Sequence, residues 1–261
     1  MDLELSGQCA LVTGASKGIG RAVAEVLAEE GVGQLHLAAR NRDELSALAA
    51  RLHAQHGTRV EIHALDLAER GGPVALAGAV GELDILVNNA GAIPGGNLLD
   101  IDAERWRQAW DLKVFGYIDL SRETYRAMRS RGRGVIVNVI GMAGERPLAG
   151  YIAGSSGNAA LMAFTRALGG AAADDGLRVV AVNPGLVATE RLVAILSTRA
   201  EQEFGDATRW SDLLRHQPFA RAATPREVAD VVAFLASKRA SYVSGTVVTI
   251  DAGAAQRNFS Y

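Results

Sequence analysis

Short apolar runs alternate with longer amphipathic stretches along the whole chain. The runs Cys9–Thr13, Gln34–Ala39, Val60–Leu65, Ile85–Asn88, Gly134–Val139, Arg178–Val182 and Thr246–Ile250 have the length and composition of strands. Several are apolar at nearly every position, as in Val135-Ile136-Val137, which is the pattern of strands covered on both faces. Between them, helical periodicity covers Ile19–Glu29, Arg42–His56, Ala103–Ser130, Asn158–Ala173 and Pro225–Ser237, with Gly31, Gly57 and Gly176 placed as helix stops. Alternation of this kind predicts βαβ units with right-handed crossovers. The expected fold is therefore α/β: a three-layer αβα sandwich around a mostly parallel, doubly wound sheet, in a single domain over 1–261.

Composition narrows the picture. The chain has 261 residues, of which 49% are apolar, enough for a sizeable core. A formal net charge of -2 gives no electrostatic case for a nucleic-acid partner. Cys9 is the single cysteine, so no intrachain disulfide and no cysteine-based metal cluster is expected, and no metal-ligand set is read. Its place in Cys9-Ala10-Leu11-Val12 suggests a small core filler. The start, Met1-Asp2-Leu3-Glu4-Leu5, is acidic and unlike a signal peptide. No run of about 18 apolar residues predicts a membrane span, so the expected location is cytoplasmic.

One segment breaks the rhythm. Val187–Phe219 mixes apolar patches with Arg191, Arg199, Glu201, Asp206 and Arg209. Beyond a strand end, an insertion of this length is placed to act as a lid over a ligand; the alternative is an ordinary pair of surface helices.

The first strand runs straight into Thr13-Gly14-Ala15-Ser16-Lys17-Gly18-Ile19-Gly20, and a helix follows. Glycines here permit a tight turn, a close backbone approach to a pyrophosphate, and close packing of helix on strand. The helix start offers free N–H groups and a partial positive charge to phosphate. Strand, glycine loop and helix in this order predict a Rossmann-type dinucleotide site. The second strand ends Ala38-Ala39-Arg40-Asn41-Arg42, without the acidic residue that selects NAD. Arg40, with Lys17 in the glycine loop, suits a 2′-phosphate, so NADP(H) is expected over NAD(H). Arg40 stacking on adenine, or capping a helix, would be the alternatives. Asp66-Leu67 follows the third strand, and its carboxylate is placed to accept from the adenine amino group. Asn88-Asn89-Ala90-Gly91 follows the fourth, where small residues let the backbone run under the ribose.

These residues, with Asn183-Pro184-Gly185 and the Ser244-Gly245 to Asp251-Ala252-Gly253 region, resemble the short-chain dehydrogenase/reductase family over essentially the whole chain. The resemblance implies a seven-stranded sheet, a homotetramer or homodimer, and an oxidoreductase acting on a small-molecule carbonyl or alcohol. It also implies that Pro184, Gly185, Val187 and Thr189 line the nicotinamide half of the cofactor. The family's catalytic set is an Asn on the long helix, then Ser, Tyr and Lys. Aligned on Val135–Val139 and on Asn158-Ala159-Ala160-Leu161, these fall on Lys113, Gly141, Gly154 and Asn158. Glycines 141 and 154 offer no side-chain proton. The changes at 113 and 158 are reciprocal, so an ammonium and an amide would be retained with their places exchanged. The alternative is loss of an unused site, with Lys113 reaching to solvent.

Candidate catalytic residues are thus Lys113, Tyr151, Ser155 and Asn158. Tyr151 and Ser155 lie near the expected tyrosine position. Either has a plainer role, Tyr151 as a packed aromatic and Ser155 as a helix cap. Apolar positions at Leu98-Leu99, Leu148, Leu186-Val187 and Leu192–Leu196 suggest an apolar carbonyl substrate. The function expected is an NADP(H)-dependent oxidoreductase acting on a carbonyl/alcohol or enone with a non-standard proton-transfer site. A nucleotide-binding non-redox protein, or lyase or hydrolase chemistry on the same scaffold, is the alternative.

Overall fold

A computed structural model describes residues 1–257. Seven strands form one sheet: β1 (Cys9–Thr13), β2 (Gln34–Ala39), β3 (Arg59–Ala64), β4 (Ile85–Asn88), β5 (Gly134–Val139), β6 (Leu177–Pro184) and β7 (Val247–Ile250). Their spatial order is β3-β2-β1-β4-β5-β6-β7, and every neighbouring pair is parallel. The order reverses between β1 and β4, the switch point at which a doubly wound sheet opens a crevice beyond its strand ends. The all-apolar strands are explained by helices on both faces.

One face is covered by α1 (Gly18–Glu29), α2 (Arg42–His56) and α8 (Pro225–Ala236), through residues such as Val23, Leu27, Leu45, Leu52 and Val232. The other is covered by α3 (Gly72–Val80), α5 (Gly116–Arg131) and α6 (Ile152–Ala172), through Leu76, Leu120, Met128 and Ala172. At roughly 25 cal/mol per Å² of apolar surface, these two layers supply the main drive to fold. The predicted three-layer sandwich is therefore observed, with the sheet wholly parallel.

Three stretches depart from the sequence reading. Helix α3 was not foreseen, because Gly72-Pro73-Val74-Ala75 lacks an apolar/polar period; Pro73 in the first turn starts the helix without needing a donor. Helix α6 begins at Ile152 rather than Asn158, since Gly154, Ser155, Ser156 and Gly157 hide its period. The stretch expected as one helix over Ala103–Ser130 is α4 (Ala103–Trp110), a π turn over Asp111–Phe115, and α5, run together without a break. Residues 187–219 contain α7 (Glu190–Phe204), capped by Thr189, followed by short 3₁₀ turns. Among the described residues no helix is long and apolar enough to cross a membrane.

Candidate active site

The glycine loop is built by interlocking backbone. A side-chain Cβ at Gly20 would lie 2.3 Å from the Gly14 carbonyl oxygen and 2.5 Å from Asn89 Nδ2, so helix α1 touches the turn only because position 20 is bare. Gly14 itself sits at φ 65°, a region costly for other residues. Asn89 secures the turn: its Nδ2 donates to the Thr13 carbonyl at 3.0 Å, and Thr13 Oγ1 accepts from the amides of Asn89 (2.9 Å) and Ala90 (3.0 Å). Ile19 packs into the core beneath. Helix α1 starts at Lys17 with no side-chain cap and no acidic first turn, whereas Asn41, Asp102, Thr189 and Thr224 cap α2, α4, α7 and α8. The first α1 amides are left for an external acceptor.

Beside this turn opens a cavity of about 500 Å³, walled by Gly14, Ser16, Lys17, Arg40, Asp66, Leu67, Ala90 and Gly91 among others. Arg40 is largely exposed and lies 3.8 Å from Asp66. Lys17 is paired with Glu44 at 3.0 Å. Asp66 Oδ1 accepts from the Ala68 amide at 2.9 Å, which fixes the turn after β3. On the far side, Pro184 ends β6 and Gly185 follows it, packed on Asp251. Val187 is buried, and its neighbour Thr189 crosses Gly18, where an added Cβ would meet Thr189 Cγ2 at 3.0 Å.

Of the four candidate catalytic residues, Lys113 and Asn158 meet at the end of β5, while Tyr151 and Ser155 lie at the start of α6. Lys113, in the π turn, crosses Gly91, where a Cβ would stand 2.9 Å from Lys113 Cδ. Its Nζ donates to the Ile140 carbonyl at 2.6 Å. The residue is half-buried overall but its ammonium is deep, and desolvation pulls its pKa down to about 8. The side chain therefore turns inward rather than running out to solvent. Asn158 is 2% exposed; its Nδ2 donates to the Gly141 carbonyl at 3.2 Å, and its Oδ1 is buried without a partner among the described residues. The ammonium and the amide thus bind consecutive carbonyls.

Ser155 needs correction as a cap. It is the fourth residue of α6, and its Oγ accepts from the Leu148 amide at 3.0 Å, tying down the preceding loop. Tyr151 ends that loop. Its ring lies over Gly154, where a Cβ would come 2.1 Å from Cε1 and Cζ. The ring packs with Ile93, Ile101, Ala109, Ala153 and Trp106. Burial raises its pKa, and the charge of Arg191 opposes that rise.

Trp110 was missed, and Gly141 and Arg191 were named without these contacts. Gly141 sits at φ 138°, with Asn158 Nδ2 only 2.9 Å from a hypothetical Cβ. Trp110 donates to the Ala153 carbonyl at 3.0 Å and so joins α4 to α6. Arg191 reaches the Ile93 carbonyl at 3.4 Å. Nothing in local periodicity marks these residues, because each acts across the fold.

Residues 8–200 match the family model for short chain dehydrogenase. The chain belongs to the short-chain dehydrogenase/reductase family. It is 37% identical over 254 residues to galactitol 2-dehydrogenase (L-tagatose-forming) of Cereibacter sphaeroides, covering 95% of each chain. It is 30% identical over 261 residues to the 7alpha-hydroxysteroid dehydrogenase of Escherichia coli K12, covering 98% of this chain and 97% of that one. The crystal structure of L-sorbose reductase from Gluconobacter frateurii, complexed with NADPH and L-sorbose, superposes with a TM-score of 0.93 at 33% identity, over 99% of this chain and 100% of the other.

Proposed function

We propose that this member of the family is an NADP(H)-dependent oxidoreductase that acts on a carbonyl/alcohol or enone substrate and handles the proton with a rearranged side-chain set. The observation that carries this reading is the deep Lys113 ammonium at the end of β5, across Gly91 from the adenosine cavity.

The residues fit a dinucleotide. The uncapped start of α1 and the bare Gly14/Gly20 contact make a cradle for a pyrophosphate. Arg40 and Lys17 would hold a 2′-phosphate, and Asp66 the adenine. The pairing of Lys17 with Glu44 supports a preference rather than exclusion of NAD(H), since that cation is shared. Gly185, Val187 and Thr189 would border the nicotinamide. The likeness to a reductase complexed with NADPH supports the same preference.

When bound, the nicotinamide supplies or takes up the hydride. The protein's own residues position substrate and move the proton. In the family pattern the Ser, Tyr and Lys positions fall on Gly141, Gly154 and Asn158, and the Asn position on Lys113. Lys113 Nζ holds a proton at neutral pH that desolvation makes easier to release, so it can protonate or electrostatically stabilise a developing alkoxide. Gly154 leaves room for the Tyr151 ring, which brings a phenol into the neighbourhood of the missing tyrosine. Asn158 Oδ1 is the buried acceptor awaiting a hydroxyl. Ser155 has a structural role at Leu148. The apolar wall of Ile93, Trp106 and Tyr151 supports an apolar carbonyl substrate, with Arg191 at its margin. Residues 187–219 would close over it as a lid, and the chain would assemble as a homotetramer or homodimer in the cytoplasm.

NADPH oxidation against a panel of ketones, hydroxyketones and enones tests the reading. Turnover on at least one member, reduced in Lys113→Ala, is expected. Turnover indifferent to Lys113→Ala removes Lys113 from the mechanism. A second reading, a nucleotide-binding protein without redox activity, is favoured by the bare positions 141 and 154; it expects coenzyme binding and no turnover on any member.

A further inference from the structure

Strands β2 and β3 carry a second polar cluster, on the sheet edge away from the end of β5. Their register pairs His36 with Glu61 and Ala38 with His63. Side chains alternate along a strand, so Gln34 and His36 share one face with Glu61 and His63. His36 is 2% exposed, and Glu61 and His63 are half-buried. His36 Nδ1 stands 2.9 Å from His63 Nε2 and 3.8 Å from Glu61 Oε2, and one ligand atom from each of the three lies within 4.8 Å of the others.

From this geometry we propose that His36, Glu61 and His63 form a binding site for a divalent transition metal ion of the zinc class. In a tetrahedral zinc site with bonds of about 2.0–2.1 Å, neighbouring ligand atoms stand about 3.3 Å apart. Two of the three separations, 2.9 and 3.8 Å, straddle that value and the third is within 4.8 Å, so an ion would draw the partly exposed carboxylate in by side-chain rotation. Ligand type agrees: two imidazoles and one carboxylate select zinc-class ions over magnesium and calcium, which prefer all-oxygen sets.

The surroundings also suit an ion. Glu61 Oε1 is engaged by Arg59 at 2.8 Å and Gln34 at 3.2 Å, which orients the carboxylate and leaves Oε2 towards the imidazoles. The Gln34 amide touches His36 Nε2 at 2.9 Å. Ligation through Nδ1 puts the ring proton on Nε2, so on ion binding the amide turns over and gives up its contact with Glu61 Oε1, which Arg59 then holds alone. A bound ion would staple β2 to β3, four residues before Arg40 and three before Asp66. The site does not depend on the coenzyme reading.

The test uses tag-free, chelator-stripped, full-length protein titrated with zinc chloride by calorimetry, with melting followed in parallel. One saturable zinc per chain is expected, with a rise in Tm that magnesium chloride does not give. Cobalt(II) in place of zinc should give the visible absorption of a tetrahedral site. His63→Ala should weaken zinc at least about tenfold. Should that variant misfold by circular dichroism, Glu61→Gln reads the same loss. A His53→Ala/His56→Ala variant removes the other neighbouring histidine pair and should bind as the native chain does. No saturable zinc binding, unchanged affinity in His63→Ala or Glu61→Gln, or loss of binding in His53→Ala/His56→Ala would each overturn the proposal.

Discussion

Replacing Lys113 by methionine should make the stability difference between native and variant protein depend on pH in a specific direction. The ammonium has an ordinary pKa of 10.5 and a folded pKa of about 8. A depressed lysine pKa means that folding disfavours the charged form. The penalty is complete below pH 8 and vanishes as pH rises through 10.5. Each pKa unit corresponds to about 1.4 kcal/mol, so the penalty is about 3 kcal/mol at pH 7 and about 1 kcal/mol at pH 10. Methionine is unbranched, one atom shorter, and carries no charge. It also leaves the Ile140 carbonyl without its donor, a loss that is constant over this range because neutral lysine still donates. The native chain should therefore gain about 2 kcal/mol on Lys113→Met between pH 7 and pH 10. For a chain of this size that is a relative Tm change of about 4–6 °C. Thermal melts of both proteins at the two pH values measure it. Tyrosines and Cys9 titrate in both and cancel in the difference. A Tm gap that stays constant within about 1 °C, or moves the other way, would show that the ammonium is not desolvated as described.

Arg40→Ala and Lys17→Ala should each weaken NADP(H) by about ten- to a hundredfold and leave NAD(H) nearly unchanged, because each removes a charge-assisted contact to phosphate; calorimetry with both coenzymes reads the ratio. Gly20→Ala places a methyl 2.3 Å from the Gly14 oxygen and should abolish coenzyme binding at micromolar concentration while lowering Tm by several degrees. Tyr151→Phe should leave Tm within about 2 °C, since the phenol oxygen is not needed for the ring's apolar packing, yet lower turnover by about 10²-fold or more if that oxygen moves the proton. Gly154→Ala should expel the same ring and depress turnover through displacement, with a Tm loss that Tyr151→Phe lacks.

Much of this architecture was readable from the chain because its rules are local. Val135-Ile136-Val137 has to be covered on both faces, and Thr13 to Gly20 has to turn tightly between strand and helix. Helix α3 escaped because Ala75, Ala77, Gly78 and Ala79 carry almost no polarity contrast, and its stability comes from Leu76 and Val80 on the sheet. At the end of β5, alignment located Lys113 and Asn158 but not their partners. The ammonium's carbonyl, the orphaned Asn158 oxygen and the Tyr151 ring over Gly154 are products of segments that meet only in three dimensions. Ser155 shows the converse error: a hydroxyl near a helix start suggests a cap, and only the folded loop reveals Leu148 as its partner. The histidines on β2 and β3 were passed over for the same reason, since 27 residues separate them and their pairing is a matter of register.

The π turn at Asp111–Phe115 has a mechanical consequence. It holds one residue more than an α-helical turn needs, so α4 and α5 keep independent rotational settings while sharing one axis. Removing a residue from this turn would rewind it into regular α-helix and swing α4 by about 100° about its axis. Trp110 would let go of Ala153, and Trp106 would leave the wall shared with Tyr151, although β5 and the glycine loop stayed in place. The orientation of the pocket's tryptophans is thus governed by a single surplus residue, and length variation at this point would alter pocket shape more sharply than most side-chain substitutions within it.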